Sequence, residues 1–436
     1  MRTNIEIAGI RHLQYEIREI ADYGRKLVAL GVPLTWENIG DPVQAGEAVS
    51  PWIRDIVSGL VLRNESWAYC QSRGVPAARE FLASVASDRP GSVHVSSDDI
   101  LFFNGIADAV DKVYDLIRRD ARVLMQAPSY PTHTSNEAKR SEYDRIQFHL
   151  DPKNNWLPDL EEIENKVKYN PQVVAIALVN PDNPTGMVYP RETLEAIVEI
   201  ARRYSLVLIC DEIYAHICYN GAETLHLSQV IGDVPALVLR GISKDYPWPG
   251  ARCGWAEMLN RSKDPAFDEY CKTLVKAKML EVCSTTLPQM SIPLVYGDPR
   301  YQEVKERRAR MFEKRANDVY DFFNGRKYVH TQRARGAFYC CITFQDGVLN
   351  DRQTLPVPDP AVRALVEEKV RGVAPDKRFA YYLMASAGVC VTPLSGFHTD
   401  IAGFRITTLR TDDAERLRTL RRIQDGIEAY VESAPQ

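Results

Sequence analysis

No stretch of the 436-residue sequence reaches the run of about 18 apolar residues that a membrane-spanning helix needs. The N-terminus, MRTNIEIAGIRHLQYEIREI, interleaves charge with apolar residues where a secretion signal needs an unbroken apolar centre. The chain is therefore expected to be cytoplasmic, with no membrane partner. An excess of positive charge is missing too. Lys and Arg number 54 against 58 Asp and Glu, a formal charge of −4, and no dense basic run is interleaved with stacking aromatics, so nucleic acid is not an expected partner. The nine cysteines contain no CxxC pair and only Cys340 and Cys341 are adjacent, which fits neither a disulfide framework nor a zinc site. No metal is expected, and no internal repeat or low-complexity tract stands out.

What is present is alternation. Apolar runs at 100–103 (ILFF), 123–126 (VLMQ), 145–150 (RIQFHL), 173–179 (VVAIALV), 206–210 (LVLIC), 236–243 (ALVLRGIS) and 253–259 (CGWAEML) are separated by amphipathic stretches. Continuous apolar runs joined by helices imply an α/β fold with a mostly parallel, seven-stranded sheet covered on both faces. The length exceeds what one core usually supports, so a smaller α+β domain is expected beside it. The expected division is an N-terminal arm and part of the small domain at 1–45, a large domain at 46–297, and a connecting helix with the C-terminal small domain at 298–436. Residues 298–324 carry Val304, Met311, Phe312, Val319, Tyr320 and Phe323 on one helical face, behind the start signal Asp298-Pro299. Residues 347–376, rich in Pro, Asp and charge, read as a surface excursion around one short helix.

In open α/β sheets ligands gather beyond the carboxyl ends of the strands. Here those ends are polar: Asn-Pro-Asp-Asn-Pro-Thr-Gly at 180–186, Asp-Glu-Ile-Tyr at 211–214, and Lys244 directly after the run at 236–243. Singly, Asp211 reads as a helix cap, Tyr214 as a core aromatic and Lys244 as a solvated lysine, whereas Asn-Pro-Thr-Gly at 183–186, which has a plain turn as its bland reading, already favours a functional one. Together, a lysine, a carboxylate and the neutral hydrogen-bonding groups Asn183 and Tyr214 on one rim suit a carbonyl cofactor with a basic ring nitrogen.

These motifs resemble the class I/II aminotransferase family of fold-type I pyridoxal-phosphate enzymes, over about residues 13 to 410. The resemblance implies pyridoxal 5'-phosphate as cofactor, held as a Schiff base by Lys244 in Gly-Ile-Ser-Lys (241–244), with Lys244 also moving the proton from the substrate. It implies Asp211 at the pyridine nitrogen, Asn183 and Tyr214 at the ring's phenolic oxygen, and Tyr130 of Pro-Ser-Tyr-Pro (128–131) stacked on the ring. The phosphate falls to the free amides of Gly105, Ile106 and Ala107 at a helix start, and to Ser243 and Arg252. Tyr69 is implied to reach the phosphate of a neighbouring subunit, which makes the expected assembly a homodimer. Arg405, in Gly-Phe-Arg-Ile-Thr, is implied to hold the substrate α-carboxylate, and the backbone at Gly40 to line the pocket.

The alanine (glutamate–pyruvate) aminotransferase branch is the nearest resemblance, through Tyr15-Glu16-Ile17-Arg18 and Gly241-Ile242-Ser243-Lys244, and it adds Tyr15 and Arg18 to the substrate-side candidates. Tyr15 and Arg18 have an equally good reading as plain helix-surface residues. Three features depart from the family. Gly241 stands where many relatives have serine, the segment Asp245 to Gly250 is Pro-rich and brings Trp248 near the cofactor without an assigned task, and Pro393-Leu394-Ser395-Gly396-Phe397 replaces Pro-Gly-Ser-x-Phe. The expected reaction is amino transfer between an alanine- or glutamate-like L-amino acid and a 2-oxo acid. The alternatives are a β/γ-lyase or other Cα chemistry on the same cofactor and, less well supported because no spare length carries a DNA-binding module, a cofactor-sensing protein.

Overall fold

The computed structural model describes residues 5–13 and 15–434. Its large sheet runs in the order Ile100–Phe103, Gly254–Leu259, Ala236–Gly241, Val207–Asp211, Val173–Val179, Arg122–Ala127, Ile146–Asp151 and Leu157–Pro158. The seven expected strands are all there, and an eighth corrects the count: Leu157–Pro158 pairs antiparallel with Ile146–Asp151. Two residues are too few to show as an apolar run. Four of the seven pairings are parallel, and Gly254–Leu259 runs antiparallel to both of its neighbours. The central strands are buried almost throughout, whereas Ile146–Asp151, near the edge, alternates between buried and exposed positions at its end.

The crossover helices bury single stripes against this sheet. Arg191–Arg203 follows Pro190 and turns Leu194, Ile197, Val198 and Ala201 inward, the spacing of one helical face. Ile106–Asp115 does the same with Ala109, Val110 and Val113, and its first turn lies over the rim where the chemistry is expected.

The long helix Arg300–Phe323 matches the one read from sequence; Val304, Phe312, Val319 and Phe323 are buried, with Met311 and Tyr320 half-buried. Arg308 and Arg315 are buried on the same stripe, which no reading of apolar spacing anticipates. Beyond it, Val329–Thr331, Tyr339–Phe344, Gly403–Thr407 and Thr392–Pro393 form an antiparallel sheet in that order. The N-terminal segment joins this lobe, Thr35–Trp36 pairing in parallel with Val389–Cys390. The excursion at 347–376 contains its one helix, Pro360–Lys369, capped by Asp359, whose side chain accepts from the amides of Ala361 and Val362. It is not confined to the surface: Leu355, Val357, Val362, Val366 and Val370 are buried in the same apolar cluster as Phe379 and Tyr430. Pro and Asp mark the helix start there and obscure the apolar face behind it.

Candidate active site

The cleft between the large sheet and the C-terminal sheet is lined on one side by strand ends. Asp211 is the last residue of its strand and is buried; its Oδ1 accepts from the amide of Ile213 at 3.0 Å, and its Oδ2 lies 3.1 Å from Nε2 of His133. His133, on the helix Pro131–Ser141, has Nδ1 3.3 Å from the Tyr114 hydroxyl, so a buried relay stands behind the carboxylate. Beyond the neighbouring strand, Val173–Val179, Asn183 is held in its turn by Asp182, whose Oδ2 accepts from the amide and hydroxyl of Thr185 at 3.0 and 2.6 Å. Burial pushes the Asp182 carboxyl up to about 7.

Lys244 sits on a one-turn helix, Ile242–Asp245, that directly follows the strand Ala236–Gly241. Its Nζ donates to the carbonyl of Gly40 and lies 5.6 Å from the centre of the Phe338 ring. Burial foremost, opposed by Asp41 and aided by Arg405, Arg252 and Arg308, brings the ammonium down to about 8. A lysine in that range is partly neutral, and so nucleophilic, near physiological pH.

The opposite wall comes from the C-terminal sheet and the segment around residue 38. Arg405 is buried, donating from Nη1 to Oδ1 of Asn183 at 2.8 Å and from Nη2 to the Asn38 carbonyl and to Oγ1 of Thr392 at 3.3 Å. Its guanidinium lies 4.3 Å from the Tyr339 ring centre and 5.1 Å from that of Phe397, and its buried Nε has no partner among the described residues. The Tyr339 and Tyr214 hydroxyls are 2.9 Å apart. Gly40 must be glycine here, because a Cβ would fall 2.1 Å from the Tyr339 hydroxyl oxygen.

Below the Lys244 helix, Gly105 opens the helix Ile106–Asp115 at φ +85°, and a Cβ on it would lie 2.6 Å from Nη2 of Arg252. A Cβ on Gly254 would come within 3.0 Å of the Ile106 amide nitrogen. Two glycines thus keep clear a hollow bounded by a helix N-terminus, with Ile106 and Ala107 in its first turn, and by an exposed guanidinium that donates to the Pro249 carbonyl at 3.2 Å. Half-buried Ser243 adjoins Lys244. This donor set fits a phosphate group, and with Asp211 and Lys244 on the same rim it fits a phosphorylated pyridine aldehyde. The departure at Gly241 also has a steric reason: a Cβ there would stand 2.9 Å from the Cys253 carbonyl oxygen and 3.2 Å from Cα of Gly254, leaving no room for serine.

Tyr130 is half-buried at the head of its helix, and its hydroxyl lies 2.8 Å from that of Tyr15; burial is the main cause that raises the Tyr15 hydroxyl pKa, and the charges of Arg18 and Arg405 oppose it. Arg18 itself is exposed one turn along the helix Glu16–Ala29. Tyr69 does not enter this chain's own cleft: it is 83% exposed. Trp248 packs half-buried against the large apolar core. His133, Asn38, Thr392, Phe338 and Tyr339 belong to the site and were not among the residues singled out from sequence. His133 lies three residues beyond Tyr130, within a helix and not at a strand end, and the other four lie on the far wall.

A two-lobed α/β chain with a lysine after a central strand, a carboxylate at the neighbouring strand end, and an arginine facing them from the smaller lobe has the architecture of a fold-type I aminotransferase. The profile of the family described as aminotransferase class I and II matches residues 45–423, and the chain belongs to that family. It is 46% identical over 413 residues to an uncharacterized aminotransferase of Methanocaldococcus jannaschii, covering 95% of each chain. It is 30% identical over 329 residues to the glutamate-pyruvate aminotransferase of Escherichia coli, covering 74% of this chain and 76% of that one. Among solved structures it superposes on an aminotransferase from Escherichia coli with a TM-score of 0.84 at 25% identity, covering 98% of this chain and 99% of that one. It is an enzyme that transfers amino groups.

Proposed function

We propose that this aminotransferase binds pyridoxal 5'-phosphate and transfers the amino group of an alanine- or glutamate-like L-amino acid to a 2-oxo acid, working in the cytoplasm as a homodimer. The observation that carries the reading is the single network in which Asn183 joins the strand-end wall to Arg405 while Gly40 joins Lys244 to the opposite wall. The lysine and the carboxylate-binding arginine thereby face one space.

When bound, the cofactor supplies an electron sink for the pair left on Cα after its proton departs. Lys244 would hold it and would carry the proton on Nζ, a task suited to a group whose pKa is brought down to about 8. Asp211, backed by His133, would hold the ring nitrogen, Asn183 and Tyr214 would hold the ring hydroxyl, and Tyr130 would pack on the ring. Gly105, Ile106 and Ala107, with Ser243 and Arg252, would receive the phosphate. Arg405 takes the α-carboxylate through its fork, and the Gly40 backbone closes over the substrate, with Tyr15 and Arg18 on the outer side. A carboxylate held this way is kept from leaving, so Cα–H is the bond presented to Lys244, which favours amino transfer over decarboxylation.

The dimer is supported by an exposed apolar surface around Tyr69. Leu62, Trp67 and Tyr69 stand out beside Leu280 and Val282, and the two segments adjoin where the Thr286 hydroxyl donates to the Ala68 carbonyl at 2.8 Å. A second copy covering this face brings Tyr69 to its phosphate.

The test is the absorbance spectrum of the protein with added pyridoxal phosphate, titrated with L-alanine and L-glutamate beside Lys244→Ala. A Lys244-dependent band near the visible edge that the amino acid converts to the pyridoxamine form supports the reading. Release of pyruvate and ammonia from sulfur amino acids without that conversion points to a lyase, and absence of the band overturns the cofactor assignment.

A further inference from the structure

Arg308 lies at the middle of the long connecting helix and is only 3% exposed, an expensive place for a charge unless every donor is used. Its Nη1 donates to the carbonyls of Lys244 at 2.6 Å and Asp245 at 2.7 Å. Its Nε and Nη2 meet the two carboxylate oxygens of Glu47 at 2.5 and 3.2 Å, a bidentate pair. The guanidinium carbon lies 5.4 Å from the Phe312 ring centre, one turn along the same helix, which steadies it.

These contacts have a common sense. The helix that carries Lys244 is a single turn of four residues, too short to satisfy its own end carbonyls, and the last two accept from Arg308. A cation at a helix C-terminus is also favoured by the local dipole. Glu47 closes the far end of the segment 37–47, and that segment's other carbonyls grip the two reacting ends of the site: Asn38 holds Arg405, and Gly40 holds Nζ of Lys244. One guanidinium thus fixes the backbone of Lys244 and the strap that holds its side chain.

We propose that Arg308 is a positioning residue of the aminotransferase site: it caps the Lys244 helix and, through Glu47, locks the strap 37–47 to it, so that Nζ of Lys244 and the guanidinium of Arg405 keep their separation. This rests on the reading of Lys244 as the reacting lysine. The charges facing Lys244 are Asp41 from the strap, Arg405 from the C-terminal sheet, Arg252 from the loop after the lysine helix, and Arg308 from the connecting helix.

The test compares full-length wild-type protein with Arg308→Gln, Arg308→Lys and Glu47→Gln. Without cofactor, competitive acetylation of Lys244 against pH, read by mass spectrometry, reports its reactivity. With cofactor, kcat and KM are measured. Arg308→Gln is expected to lower kcat about ten- to a hundredfold, the cost of a misplaced reacting group, with KM changing less, and to shift the Lys244 acetylation profile toward higher pH. Arg308→Lys keeps the charge and should restore the profile but only part of kcat, since an ammonium lacks the fork. Glu47→Gln leaves the carbonyls capped and should act mainly on KM. Unchanged kcat and an unchanged acetylation profile in a folded Arg308→Gln overturn the proposal; if that variant does not fold, Arg308→Lys with full kcat overturns it equally. The acetylation comparison stands even if no Lys244-dependent absorbance band forms, so a failure of the functional reading is separable from a failure of this one.

Discussion

The two walls of the cleft are held in place by different means. On the large-sheet side, each polar residue sits where a buried strand ends, and its braces come from that sheet and the helix packed on it: Asp211 is held by the Ile213 amide and His133, and Asp182, which holds the Asn183 turn, by Thr185 and Gln126. On the other side, Arg405 is clamped by Asn183, Asn38 and Thr392 and stacked against Tyr339 and Phe397, partners drawn from the whole length of the chain. The first wall is rigid because the sheet is. The second depends on the first, since its arginine borrows an acceptor from it. The first wall is therefore suited to the chemical step and the second to gripping and releasing substrate.

The largest effect that bears on this division is the loss of Lys244. Lys244→Ala should abolish the cofactor band and lower amino transfer by about a thousandfold or more, the loss expected when a positioned proton carrier is removed. Next comes the far wall. Arg405→Lys keeps the charge but not the fork that donates to Asn183 and that, on the proposed function, also takes the substrate carboxylate, and it should weaken amino acid binding by roughly 2–5 kcal/mol, seen as a raised KM with a smaller change in kcat. If Arg405→Lys instead lowers kcat alone, the division between the walls is wrong. His133→Phe is a smaller probe of the first wall. It removes the partner of Asp211 Oδ2 and leaves that buried oxygen short of a bond, so kcat should fall by about 1–3 kcal/mol equivalent with KM steady, checked by steady-state kinetics on alanine and glutamate.

The same contrast explains what the sequence discloses. Asn183, Asp211 and Lys244 are legible because a buried strand writes a continuous apolar run, and the residue that follows it marks the rim. Tyr339 is invisible by that logic: it lies within a buried strand, Tyr339–Phe344, and its role depends on Gly40 and Tyr214, which only the fold brings near. Asn38 contributes a carbonyl, which no side-chain pattern records. Arg308 and Arg315 interrupt an apolar stripe as charges and look solvated, yet they are buried because carbonyls await them: Arg315 donates to those of Thr408 and Leu409, both at 3.2 Å. The strand Leu157–Pro158 is too short to carry a period at all. Gly40 and Arg405 were reached through family resemblance and not through spacing, and the structure supplies their reason, a hydroxyl that excludes a Cβ and an asparagine that accepts from the guanidinium.

The smallest effect tests the walls without any cofactor. Lys244 is brought down to about 8 in the folded chain, chiefly by burial, and returns to the ordinary lysine range near 10.4 on unfolding. Below pH 8 both states carry the proton, so the cost of burying the charge is present in full. Between about 8 and 10 the unfolded chain binds more protons than the folded one, and stability must rise with pH across that window. Thermal melting of the cofactor-free protein should therefore show a Tm that climbs from pH 8 to 9.5 relative to Lys244→Met, which has no such group. Equal slopes in the two proteins would mean that Lys244 is well solvated when the cofactor is absent. The contact with Gly40 would then form only on loading, and the second wall would be a consequence of substrate binding, not a structure prepared for it.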